Sequence, residues 1–89
     1  MKAIFKYPLQ NVDSQAIIMP KDAVILCVKR QGASAFIWAI VDPDNQSVGR
    51  TILMVGTGHP LPEGAEVFYI GTYISEGGLF TWHCFERLK

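Results

Sequence analysis

Charge is scarce in this chain of 89 residues: Lys, Arg, Asp and Glu make up 18% of it, where an average soluble domain carries about 25%. Eight cations balance eight anions, so no net field draws in a phosphate backbone, and a nucleic-acid polymer is not expected as a partner. Long apolar runs are missing too. The longest, 35–41, is far short of the ~20 residues of a membrane helix, and the opening MKAIFKYPLQ has neither an apolar signal core nor a small-residue cleavage site. The expectation is a soluble, cytoplasmic protein with no membrane partner. Cysteine is limited to Cys27 and Cys84, without a CxxC pair; each falls in an apolar strand pattern where a thiol behaves as a small hydrophobe and stays free in a reducing compartment. His83 and Cys84 are neighbours, so on a strand they point to opposite faces and cannot share a zinc ion. Neither a metal nor a cofactor is expected. Helix-forming windows are lacking as well, because each candidate holds Pro or Gly or is dominated by β-branched and aromatic residues. At most a short turn fits 9–14.

What the chain does have is strand pattern. Hydrophobic residues reach 49% and aromatics 11%, in runs separated by Gly, Pro, Asn and Asp clusters. The spacing predicts strands at 2–7, 15–19, 24–31, 33–41, 50–55, 66–73 and 79–87. Gln31-Gly32, Asp42-Pro43-Asp44-Asn45 and Glu76-Gly77-Gly78 supply turn chemistry between them. The fold class is therefore all-β, a single domain over 1–89 with about seven antiparallel strands in a small sandwich or barrel. In the last strand Phe80, Trp82 and Cys84 share one face, while Thr81, His83, Phe85 and Arg87 take the other. Strand 33–41 is apolar on both sides, with Phe36, Trp38 and Ile40 opposite Ala35, Ile37, Ala39 and Val41. The next strand repeats this with Ile52 and Met54 against Leu53 and Val55. Antiparallel sheets usually keep one wet face, so these strands need cover on both sides, from a second sheet or from a second copy of the chain. A small sandwich or barrel that also forms a homo-oligomer satisfies both, and a chain this short buries only about 60–65% of its unfolded surface. A two-sheet monomer is the alternative.

The most distinctive segment is Val55-Gly56-Thr57-Gly58-His59-Pro60-Leu61-Pro62-Glu63-Gly64. Consecutive amides at Gly56, Thr57 and Gly58 can form an anion-binding nest, with the Thr57 hydroxyl and the His59 ring as further donors. No helix follows, so this is not a dinucleotide fingerprint; the alternative is a strand ending in a rigid structural loop. Arg50 opens the strand leading into the loop, some 20 Å away at ~3.3 Å per residue, and would reach a ligand there only across a subunit boundary. Otherwise it is a solvated strand-start charge. His83 joins the candidates as a polar group on the mixed face of the last strand, and Tyr69, Tyr73 and Trp82 as aromatics able to stack on a base, although strand aromatics also serve as core. No catalytic residue is assigned: the histidines lack a nucleophile context, and paired carboxylates, metal-ligand spacings and a phosphate loop with its lysine are absent.

Together Lys6-Tyr7-Pro8-Leu9, Trp38-Ala39-Ile40-Val41-Asp42-Pro43-Asp44, Gly56-Thr57-Gly58-His59-Pro60-Leu61-Pro62, Tyr69-Ile70-Gly71-Thr72 and His83-Cys84-Phe85-Glu86 resemble a family of small, uncharacterised phage and bacterial proteins. The resemblance supplies no activity. It implies a phage or prophage origin, action in the host cytoplasm, and, by analogy of class, counter-defence by sequestering a nucleotide signal or binding a host defence protein. The functional expectation is a non-catalytic homo-oligomeric module that captures a small anionic, nucleotide-like ligand at Gly56, Thr57, Gly58 and His59, with Arg50, Tyr69, Trp82 and His83 around it. The alternative is a protein–protein inhibitor or structural accessory acting through its apolar faces and an edge strand.

Overall fold

The computed structural model describes residues 1–89. Seven strands form: β1 (Ala3–Leu9), β2 (Ser14–Pro20), β3 (Val24–Gln31), β4 (Ser34–Val41), β5 (Ser47–Gly56), β6 (Val67–Ile74) and β7 (Thr81–Arg87), with a single 3₁₀ turn at Glu76–Gly78. The expected all-β architecture of antiparallel strands is present as an open sandwich, and no barrel closes. One sheet has the order β1-β4-β3 and the other β2-β5-β7-β6. Residues 11–13 form a bend, and the one helical turn lies at Glu76–Gly78. No helix is long and apolar enough to cross a membrane.

Between the sheets lie Ile17 and Met19 of β2, Val28 of β3, Ile37, Ala39 and Val41 of β4, Ile52 and Met54 of β5, and Cys84 of β7, joined by Ala23 from the β2–β3 turn. Two irregularities in register set this inner face. In β3 the pairing with β4 shifts between Ile25 and Cys27, and in β6 the pairing with β7 shifts between Tyr69 and Gly71. A bulge inserts one residue and reverses the side-chain alternation beyond it. Thus Ile25 and Val28 both face inward, although strict alternation would separate them. At Gly71 the sheets come so close that a Cβ would lie 2.9 Å from Val28 Cγ1, so any larger residue must displace the valine.

The two strands that are apolar on both sides have different solutions. In β5, Leu53 faces away from the core cluster, pairing with Ser14 and Phe85, and is only 3% exposed. Because β7 lies between β5 and β6, these two strands run parallel, and segment 57–66 must carry the chain back along the sheet. Its Pro60, Leu61 and Pro62 border a crevice with Leu53 and Val55, which accounts for the cover over Leu53. In β4 the inner residues are buried, whereas Phe36, Trp38 and Ile40 remain partly open on the outer side. Beside them stand Ile4 of β1 and Val24 of β3, 62% and 54% exposed. Nothing in the chain covers this face.

Candidate functional site

Strand β5 ends at Gly56, and the chain turns at Gly58, whose φ is +89°. The turn is closed by the His59 amide donating to Gly56 O at 3.0 Å, while the Thr57 amide donates to Thr81 O at 3.3 Å. Of the three amides assigned to an anion nest, that of Thr57 is therefore spent within the chain. The His59 ring lies against Gly56: a Cβ there would be 3.1 Å from His59 Nδ1 and 3.5 Å from Trp82 Cζ3. The glycine thus brings Gly56, His59 and Trp82 together, with the indole on the inner face and the imidazole bordering the crevice under segment 57–66.

A second group assembles on the outer face of the four-stranded sheet. His83 Nε2 lies 2.7 Å from Thr57 Oγ1, and His83 Nδ1 lies 3.0 Å from Thr72 Oγ1. The Tyr69 hydroxyl is 2.5 Å from the same Thr72 oxygen, and the Tyr69 ring packs on Phe85 at 5.5 Å between centroids. One hydroxyl–imidazole–hydroxyl–phenol chain thus ties the end of β5 to β7 and β6. Both imidazole nitrogens are held by threonine hydroxyls, one ring nitrogen donating and the other accepting when the ring is neutral. No carboxylate orients the ring, as a hydrolytic triad would require. Thr72 was not among the candidates; the bulge at Tyr69/Gly71 turns it toward His83, and strict alternation along β6 conceals that.

Arg50 stands apart from both groups and is not a solvated strand-start charge. It is the fourth residue of β5 and faces inward, half-buried at the far end of the sandwich. Its Nε pairs with Glu86 Oε2, its Nη2 donates to Glu86 Oε1 at 2.8 Å, and its Nη1 donates to Ala23 O at 2.9 Å. The hydrogen bond to Glu86 raises its pKa against the opposing effect of desolvation. The guanidinium is committed to closing that end of the core.

The structure therefore gathers Gly56, Thr57, Gly58, His59, Trp82 and His83 around the end of β5, reaches Tyr69 through Thr72, and leaves Arg50 elsewhere. Tyr69 is separated from Tyr73 and Trp82, because it faces outward and they face inward. No group of three His, Cys, Asp or Glu side chains is placed to hold a metal ion.

One family model, described as a domain of unknown function (DUF7352), matches residues 1–89. No curated protein and no solved structure matches the chain.

Proposed function

The chain belongs to the DUF7352 family, a domain of unknown function, and from that premise we propose that it is a non-catalytic interaction module whose first partner is a second copy of itself. The observation that carries this is the uncovered outer face of the three-stranded sheet, where Phe36, Trp38 and Ile40 of the central strand are flanked by Ile4 and Val24. Amines stand at one end of that face, and carboxylates, with Lys2 beside them, at the other. Lys6 and Lys29 stand beside Phe36 and Trp38, with Lys6 Nζ 4.5 Å from the centre of the Phe36 ring. Asp42 and Asp44 lie just past the other end of β4. Two copies packed face to face about a two-fold axis near Trp38 and Ile40 set the amines of each opposite the carboxylates of the other.

The face measures about 14 by 26 Å from strand spacing and rise. It continues round the β3 edge into a groove lined by Val24, Leu26, Phe68 and Ile70. A patch of this size falls below the ~800 Å² per partner of a standard interface, so the expected dimer dissociates in roughly the micromolar range. Sedimentation equilibrium measures it. The 9.9 kDa chain doubles in mass with concentration, and Ile4→Lys with Val24→Lys abolishes the doubling while leaving the melt unchanged, since both side chains are exposed. A wild-type chain that stays monomeric to about millimolar concentration refutes the reading; a monomer that instead holds a host protein on this face would return the counter-defence role expected from the resemblance.

A further inference from the structure

The sandwich is open at the end away from Arg50 and Glu86, and the gap there is a cleft of about 300 Å³, at the lower end of the range for small-molecule sites. We propose that this cleft binds a flat aromatic ring carrying one anionic group. Three aromatic side chains line it, Tyr73 of β6, Trp82 of β7 and Phe80 just before β7. Tyr73 and Trp82 are opposite each other in the ladder, and the Phe80 and Trp82 rings lie 6.0 Å apart at 34°. Such walls favour stacking on a planar ligand.

The polar groups among those walls are unspent. The Tyr73 hydroxyl and the Trp82 Nε1–H enter none of the side-chain hydrogen bonds of the protein, and neither is sealed from solvent. Tyrosine and tryptophan packed into a protein normally place these groups on a partner, so here they are available to an incoming acceptor. Arg30 is the one charged residue lining the cleft. Its Nη1 is fixed by Gly32 O at 2.7 Å, which holds the guanidinium at the rim with its remaining donors free. One fixed cation, no lining carboxylate and an aromatic interior define a ligand with one flat ring and one negative group, either a nucleoside monophosphate or an aromatic carboxylate. The site shares the Trp82 indole with the Gly56–His59 cluster but lies apart from the outer face of the three-stranded sheet, so it stands or falls independently of self-association.

The chain has two tryptophans, so two indole N–H resonances report the test. Adenosine 5′-monophosphate and indole-3-carboxylate serve as probes, with adenosine lacking the charge and ribose 5-phosphate lacking the ring. The Trp82 resonance shifts with at least one ring-bearing anion, and which of the two binds identifies the source. The Trp38 resonance stays in place, adenosine binds at least tenfold more weakly, and ribose 5-phosphate has no effect. Phe80→Ala and Arg30→Gln each weaken binding at least tenfold with unchanged melts, since both side chains are exposed. A Trp82 resonance unmoved by both anions at about 10 mM, or an affinity unchanged in either variant, overturns the assignment.

Discussion

Gly71 is the residue on which the distance between the two sheets depends. Val28, which any added methyl would strike, is 4% exposed and branched at Cβ, so it has little freedom to move aside. Gly71→Ala is expected to cost about 1–3 kcal/mol in urea unfolding. In a Val28→Ala background the same change should cost markedly less, with a coupling above ~0.5 kcal/mol, because the second truncation clears the space that the first fills. Strict additivity would mean that the sheets relax apart instead. Individual residues were unevenly legible in the sequence. The neighbourhood of Gly56, Thr57, Gly58 and His59 follows from chain order alone, and alternation placed Trp82 and His83 on opposite faces of β7. Arg50 was misread because its partner, Glu86, is 36 positions away, and no local pattern announces a long-range ion pair.

Among the elements, strand positions were readable from hydrophobic alternation and turn residues, with ends moving by up to three residues: β5 begins at Ser47 rather than 50, and β7 at Thr81 rather than 79. The faces of β3 and β6 are not legible from alternation, because a bulge intervenes in each. One inserted residue reverses everything after it; Gly71 inside its strand hints at the second insertion, but nothing in Ile25-Leu26-Cys27 marks the first. The two-sided apolar character of β4 and β5 was plain in the sequence, but not that segment 57–66 covers one of them. That cover is measurable. Leu53 points away from the core cluster, yet Leu53→Ala should destabilise the fold by about 2–4 kcal/mol, as a core truncation does. A loss under ~0.5 kcal/mol in chemical denaturation would mean that the segment rests only loosely on the sheet.

The whole molecule is a thin slab, 39 × 33 × 16 Å, with 13 of its 89 residues buried, so a few groups carry much of its response to solvent. Burial pushes the Cys84 thiol from 9.0 up to about 12. Burial, with the nearby Cys84 adding, pushes the Tyr73 phenol from 10.0 up to about 12. Both folded-state values lie above the unfolded ones, and both groups are neutral when protonated. Their contribution to stability is thus complete below about pH 9 and is lost as the pH rises toward 12. The melting temperature should fall steeply across that interval, and Cys84→Ala should make the fall shallower from a lower starting point; a flat profile to pH 12 would contradict the burial of both groups. Topology adds a constraint of another kind. The strand at the heart of the four-stranded sheet, β7, is the last of the seven to leave the ribosome, so β5 and β6 emerge as neighbours with a gap between them. The β2–β5 ladder forms without it, whereas β6 has no strand to pair with until β7 arrives, and a chain truncated before Thr81 leaves that edge of the sheet permanently unpaired.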